Sequence, residues 1–401
     1  MFFDNYLIFI YVTFFIIIYN AAKLIAKNRI VNNVILIGAN LIMLLTLFKE
    51  HSLIVIAVIS LLVFLTGKFL QKRSSKALLS IALVLIISMF SIRNYPYIQD
   101  LLSQGWLSFL NEPILSVQKI GLSYILFRYV HWIIESYKKT IHNSDFVTFL
   151  NYIFFFPSIL AGPIDKYNNF HYWLGNKNVK YHRSLFFAGI TRIVIGAFKT
   201  IGIVPLFIQY ATDYTELIPD FAPLAAVSIS LLAYSMYIYL NFSGYCDIAI
   251  GTAYLIGIKT PENFNNPYLS INLSEFWKRW HITFTMFLML SVFKPLIKLY
   301  NKLFNPKYRL LVTVLCYLST FLICGLWHGD SINFVHWGLW HGVGLALNKI
   351  WTLNVTPRLP FRETMVYKLM SILATFVFVT FGWVFFNYSS EELAEIFKLI
   401  L

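Results

Sequence analysis

Residues 53–69 read LIVIAVISLLVFLTGKF. One basic residue, Lys68, and no acidic residue interrupt that run. At 1.5 Å per residue, a helix of this length spans about 25 Å, close to the thickness of a bilayer's hydrocarbon core. Backbone polar groups in lipid must be satisfied within the segment, so a continuous apolar run of this kind reads as a membrane-crossing helix. The run is continuous, not alternating, which argues against a β-barrel strand.

The same pattern recurs outward from it in both directions. Comparable stretches cover 6–24, 33–47, 77–90, 146–164, 184–208, 221–239, 310–326, 334–346 and 369–386. The expectation is an all-α integral membrane protein, a polytopic bundle of about eleven membrane-crossing or embedded helices. The shorter segments are read as re-entrant or interfacial. Only 12% of the 401 residues are charged, against about 25% in a soluble domain. The first span lacks a basic leader and a small-residue cleavage site, so it reads as a retained helix. Three parts of one membrane domain are expected: scaffold helices over 1–110, a core bearing every candidate site over 111–350, and a C-terminal loop, last membrane helix and amphipathic tail over 351–401.

The net charge of +14 is carried largely by short loops. Lys23, Lys27 and Arg29 follow the first span; Lys68, Lys72, Arg73 and Lys76 follow the third; the loop around Glu50 between them is nearly neutral. That alternation predicts an extracytoplasmic N-terminus in a multi-pass protein. The basic excess is therefore assigned to topology and membrane lipid, with no nucleic-acid partner. Cys246, Cys316 and Cys324 lack paired spacing and read as buried thiols, without a disulfide framework or zinc site. No internal repeat of the transporter kind is present.

Two polar stretches break the membrane pattern. Residues 165–183 read as a surface loop or interfacial helix. Residues 260–268, TPENFNNPY, hold two prolines and three asparagines and read as non-helical. Asn272 and Glu275 downstream have the spacing of a helix cap and its third residue. Irregular backbone at membrane depth is tolerated where it is buried in protein or lines a cavity, so a cavity is expected beside Trp280 and His281.

Several constellations carry chemistry. In 121–137, GLSYILFRYVHWIIESY, Arg128, His131 and Glu135 share a helical stripe and read as an internal ion pair or as a polar tunnel wall. In 154–164, FFFPSILAGPI, Pro157 and Gly162-Pro163 predict a kink. In 241–251, NFSGYCDIAIG, Asp247 needs a buried partner, either a histidine or a basic residue. Residues 276–281, FWKRWH, suit an interfacial anchor, which accounts for Trp277, Trp280 and the basic residues better than for His281. The i, i+4 spacing of Trp277 and His281 predicts a shared helix face. Residues 325–342, GLWHGDSINFVHWGLWHG, hold His328, His336 and His341 among Trp327, Trp337 and Trp340. The spacings of 8 and 5 residues do not match a helical zinc motif, so no metal is expected. A general-base histidine fits better, because apolar surroundings favour the uncharged ring.

Taken together, FWKRWH, GLWHGDSINFVHWGLWHG, FFFPSILAGPI, NFSGYCDIAIG and 262–270, ENFNNPYLS, resemble the membrane-bound O-acyltransferase superfamily. The resemblance is strongest to its bacterial cell-envelope branch of alginate-type O-acetyltransferases and teichoic acid D-alanyl transfer proteins. It covers about residues 115–345.

The resemblance implies a helical fold around a central funnel, in the bacterial cytoplasmic membrane. It implies transfer of an acyl group from a cytoplasmic thioester, acyl-CoA or an acyl carrier protein, to a hydroxyl of an extracytoplasmic polymer or partner protein. No bound cofactor is implied. His328 falls on the family's essential histidine and His281 on its supporting one, either positioning the thioester or stabilising the oxyanion. Trp277, Trp280, Trp327, Asp247, Arg128, His131 and Asn265 are the candidate tunnel or supporting residues. Members that transfer acetyl carry an Arg-Asp-Tyr-type segment and a glycine pair after the first histidine; here residues 282–291 read ITFTMFLMLS. Residues 260–265 resemble the D-alanyl members, whereas NFSGYCDIAIG and the two Trp-His-Gly motifs resemble the acetyl members, and acetyl is favoured. A transporter would instead carry inverted repeats, and a non-catalytic scaffold would tolerate loss of His328.

Overall fold

The computed structural model describes residues 14–21, 29–48, 50–94, 119–175, 179–219 and 221–400. Most of the 6–24 stretch, with Lys23 and Lys27, lies outside them. Every regular element among the described residues is a helix. Residues 14–21 are helical, and the helices after them are, in chain order, α1 (Arg29–Leu47), α2 (Glu50–Lys72), α3 (Lys76–Asn94), α4 (Lys119–Tyr137), α5 (Phe146–Ile153), α6 (Tyr167–Gly175), α7 (Val179–Ala197), α8 (Val204–Ala211) and α9 (Pro223–Leu255). They continue with α10 (Leu273–Arg279), α11 (Ile282–Leu288), α12 (Lys294–Leu303), α13 (Arg309–His328), α14 (Ile332–Asn354), α15 (Met365–Gly382), α16 (Val384–Asn387) and α17 (Ser390–Ile400).

Among the described residues, seven helical segments are long and apolar enough to cross a membrane: Ile30–Leu47, Ser52–Lys72, Arg183–Ala211, Pro223–Leu255, Ile282–Leu303, Pro306–His328 and Met365–Asn387. Ile282–Leu303 is a segment the apolar runs do not announce, because Lys294, Pro295 and Lys298 dilute its second half. Two π-helical turns, Phe198–Ile203 and Met289–Phe293, keep Arg183–Ala211 and Ile282–Leu303 helical through their junctions. The 221–239 stretch runs on as a 33-residue helix, so NFSGYCDIAIG is helical throughout.

The chain divides into two compact units, Met1–Gly196 with Tyr245–Pro261, and Ala197–Gly244 with Glu262–Leu401. In the first, α2 and α4 approach through Gly67, where a Cβ would fall 2.0 Å from Trp132 Nε1. Trp132 is wholly buried against Phe64, Phe149 and Tyr167. Lipid offers no hydrophobic gain for helix association, so such close packing and interhelical hydrogen bonds hold the bundle. Gly189 and Gly251 do the same for α7 and α9: a Cβ on either would lie within 2.7 Å of the other's carbonyl oxygen.

The kink expected in FFFPSILAGPI is a full interruption. α5 stops at Ile153, a 3-10 turn covers Phe156–Ser158, and the chain stays irregular to Lys166, so 146–164 is not one crossing helix. Its exposed backbone groups are met by protein. Arg128 donates from Nη1 to Ile153 O at 2.7 Å, and from Nη2 to Ser158 O at 2.9 Å and Ser158 Oγ at 2.7 Å. Asn40 Oδ1 accepts from Phe156 N at 3.0 Å, and Asn40 Nδ2 donates to Asn151 Oδ1 at 3.0 Å. The arginine thus answers a broken backbone, not Glu135, whose carboxylate binds Lys138 and Thr140. Residues 165–183 are mostly helical rather than a loop, and Asp165 is buried.

In the second unit, α13 and α14 cross on glycines. A Cβ on Gly325 would meet Phe334 O at 2.2 Å, and one on Gly338 would meet Phe321 O at 2.3 Å. The glycines of GLWHG and WGLWHG therefore serve helix contact. That contact fixes where His328, at the end of α13, and His341, within α14, are held.

Candidate active site

The site is built in the second unit from the broken approach to α10. Asn263 and Asn265 lie on irregular backbone that pairs with the end of α10: Asn265 N donates to Arg279 O at 3.0 Å and Ile282 N to Asn263 O at 2.9 Å. α10 is seven residues long and capped by Asn272, whose Oδ1 accepts from Glu275 N at 2.9 Å. Glu275 reaches back to Ile271 N at 2.9 Å, one residue before the cap, and its other oxygen takes Arg279 Nη2 at 2.5 Å. The capping spacing is realised, with the return bond displaced by one residue.

After Arg279 the helix breaks. Trp280 is extended, and His281 is left-handed at φ 42° and ψ 54°. A non-glycine residue held there costs about 1–3 kcal/mol and persists where its surroundings over-determine it. The shared helix face expected for Trp277 and His281 is lost at this break. Trp277 packs on His341 instead, with ring centroids 5.1 Å apart, while His281 lies between Phe242 at 4.8 Å and Phe284 at 5.0 Å.

His281 is buried and its orientation is fixed by Asn263, which is completely buried. His281 Nδ1 lies 3.1 Å from Asn263 Oδ1. The same oxygen accepts from Thr283 N at 3.2 Å and Thr283 Oγ1 at 2.8 Å. A backbone N–H can only donate, so the atom facing His281 is the amide oxygen, and Nδ1 must carry the ring's proton. Nε2 then carries the lone pair, since the hydrogen bond at one ring nitrogen sets the role of the other. A neutral ring in this tautomer accepts hydrogen bonds at Nε2. It suits positioning, not the stabilisation of an oxyanion, which needs a donor.

A run of touching rings joins the two histidines: His281 to Phe284 at 5.0 Å, Phe284 to Trp327 at 4.5 Å, and Trp327 to His328 at 4.5 Å. His281 is also within electrostatic reach of His328. The His328 ring is walled by Trp337 at 4.9 Å and Phe386 at 4.8 Å, both edge-on. It is half-buried, and no described residue hydrogen-bonds either of its nitrogens. One imidazole is therefore pinned, and the other is held, among the described residues, by aromatic contact.

Of the remaining candidates, Trp277 and Trp280 are buried and not interfacial anchors. Trp280 stacks on Phe276 at 5.6 Å and meets Trp383 at 5.3 Å. Asn265 is exposed, and the asparagine that engages a histidine is Asn263, which sequence reasoning passed over. Arg128, His131 and Asp247 belong to the first unit. There Asp247 pairs with Arg192 of α7, which the sequence did not single out, and His131 is half-buried within electrostatic reach of Glu135. His336 and His341, five residues apart on α14, face different ways: His336 is exposed and His341 fully buried.

Comparison with known proteins places these features in a family. Residues 34–391 match the membrane-bound O-acyltransferase family, and the chain belongs to it. It is 32% identical to the peptidoglycan O-acetyltransferase of Helicobacter pylori over 340 residues, covering 82% of this chain and 59% of that protein. It is 30% identical to the probable alginate O-acetylase AlgI of Pseudomonas fluorescens over 276 residues, 69% of this chain and 52% of that one. It is 29% identical to the teichoic acid D-alanyltransferase of Bacillus subtilis over 282 residues, 67% of this chain and 68% of that one. The chain spans little more than half the length of the two O-acetylating relatives.

Proposed function

From membership in the membrane-bound O-acyltransferase family, we propose that this chain transfers a small acyl group, acetyl in the favoured reading, from a cytoplasmic thioester to a hydroxyl on the outer side of the bacterial cytoplasmic membrane. The acceptor is a cell-envelope polysaccharide or an extracytoplasmic partner protein, and the donor is acyl-CoA or an acyl carrier protein. With the proposal go a count of about eleven crossing or embedded helices, a funnel on the outer face and an extracytoplasmic N-terminus.

The observation that carries the reading is the unequal histidine pair. A hydroxyl becomes an effective nucleophile when a base within hydrogen-bond reach takes its proton. His328 has both nitrogens unengaged by described residues and sits half-buried among aromatic rings, so a neutral ring there can act as that base. The hydroxyl oxygen bonds to the thioester carbonyl carbon, the C–S bond breaks, and the proton held by His328 passes to the leaving thiolate. His281, oriented by Asn263, positions the reactants. Trp327 and Trp280 form apolar wall along this path.

Replacement of His328 by Ala should abolish O-acylation while the protein still accumulates in the membrane. The readout is mass analysis of envelope polymers from a deletion strain complemented with wild type or variant. Ester levels equal to wild type would remove the base assignment and favour a non-catalytic scaffold. The same analysis separates the acyl groups. Loss of acetyl esters supports the acetyl reading, and loss of D-alanyl esters from teichoic acid supports the second reading, which the similarity to the B. subtilis D-alanyltransferase favours.

A further inference from the structure

His341 stands apart from the other two histidines. Its side chain is fully buried, and neither ring nitrogen has a hydrogen-bond partner among the described residues. A neutral imidazole always presents one N–H donor and one acceptor. Leaving such groups buried and unpaired costs about 1–3 kcal/mol each. The ring packs against two tryptophans, Trp277 at 5.1 Å and Trp337 at 4.9 Å, which themselves touch at 5.9 Å. Both indole Nε1–H groups are also buried without a partner among the described residues. Three mutually touching rings thus each carry buried polar atoms without a partner among the described residues, where apolar residues of similar size would pack without that penalty.

Chemistry narrows what such a group can take. An indole N–H only donates, and the imidazole supplies a further donor, so the trio suits a hydrogen-bond acceptor. The other rings in contact with it, among them Phe321, Phe378 and Phe386, are uncharged, so a neutral acceptor fits and a phosphate does not. Trp337 is the wall shared with His328, 4.9 Å from its ring. We propose that Trp277, Trp337 and His341 bind the carbonyl oxygen of the acyl thioester donor, one ring away from the base. The inference rests on the acyl-transfer reading and names the donor atom that the site recognises. Gly382 supports the geometry, since a Cβ there would press to 3.0 Å on His341 Nε2.

The test compares equilibrium binding of acetyl-CoA and S-ethyl-CoA to the full chain purified in detergent. S-ethyl-CoA is a thioether of the same length that lacks the carbonyl oxygen. Wild type should prefer acetyl-CoA by about tenfold, the worth of one well-made hydrogen bond. His341→Phe should remove that preference without weakening S-ethyl-CoA binding, and His341→Gln should restore part of it. Gly382→Ala should reduce it. The thermal midpoint of the ligand-free protein should stay level or rise in His341→Phe, because an apolar ring replaces an unpaired polar one. No acetyl preference in wild type would overturn the inference, as would a preference that survives His341→Phe. A lowered ligand-free midpoint with the preference retained would make His341 a purely structural residue and overturn it equally. The binding comparison is independent of turnover. If His328→Ala still transfers acyl groups, the base assignment fails, while the carbonyl preference is judged separately.

Discussion

The two units each contain a break in helical structure, and the breaks are treated in opposite ways. In the first, around FFFPSILAGPI, the freed carbonyls and the Phe156 N–H are met by Arg128 and Asn40. In the second, around ENFNNPYLS, the backbone is again paired, but beyond it His341, Trp277 and Trp337 carry buried polar atoms without a partner among the described residues. The first arrangement stabilises a kink, and for the second we propose that the polar groups take a ligand. A buried polar residue is therefore read from its partners, and Arg128, the most suggestive charge in its helix, is a clamp.

The largest effect should come from undoing the clamp. Arg128→Met removes a buried cation together with three hydrogen bonds and leaves two carbonyls to find new partners. Destabilisation on the order of 3–5 kcal/mol is expected, read as lost membrane accumulation or a lowered midpoint. Arg128→Lys should rescue little, because a point charge cannot span both carbonyls as the planar fork does. Wild-type stability in Arg128→Met would erase the contrast between the two breaks.

Asn263→Ala sharpens the contrast from the other side. It frees His281 without touching the ring, and about 10–100-fold loss of transfer is expected from a lost orienting partner. Asn265→Ala, on an exposed side chain, is the matched control and should turn over normally. Equal losses in both would reduce Asn263 to a backbone support.

Gly338→Ala tests whether the helix crossing holds the histidine-bearing elements in place. Its Cβ would meet Phe321 O at 2.3 Å, so α13 and α14 must part, at about 1–3 kcal/mol by the usual cost of overpacking. A midpoint unchanged by the substitution would show the crossing to be loose.

The last test concerns pH. Burial pushes the Asp165 carboxyl up from its ordinary 3.8 to about 7, opposed by hydrogen bonds from Asn169 and the Lys166 N–H. Its folded value is above its unfolded one, so the folded state binds the extra proton between those limits. Stability from this group is full below about 3.8 and falls as pH rises towards 7. Asp165→Asn should flatten that part of the midpoint-against-pH curve. A curve unchanged in the variant would assign the slope to another group.

Much of the membrane architecture was legible because its signal is local. Residues 53–69 lie within a helix long enough to cross a membrane, as their hydropathy requires. The kink at Pro157 and the cap at Asn272 follow from residue chemistry within a few positions. Ile282–Leu303 was missed because a lysine-bearing second half lowers a windowed signal, although helix geometry carries straight through it.

The site was legible in its residue types but not in its pairings. His281 and His328 stand out as imidazoles in apolar sequence, yet their roles depend on partners 18 residues away or on other helices. Irregular backbone has no period, so nothing in ENFNNPYLS distinguishes the buried Asn263 from the exposed Asn265. Helical spacing joined Trp277 to His281 on paper, and the left-handed turn at His281 separated them.

The sequence alone determined that this chain lives in a membrane as helices, because a backbone in lipid must satisfy itself segment by segment. It also determined the short list of ionisable side chains in apolar surroundings, because such residues are few and costly. Tertiary structure decided which of them are spent on the fold and which are left for chemistry. Arg128 is consumed by two carbonyls, Asp247 by Arg192, and His281 is fixed by Asn263, while neither nitrogen of His341 has a partner among the described residues. That division rests on hydrogen-bond partners distant in sequence, which only the packed chain brings together.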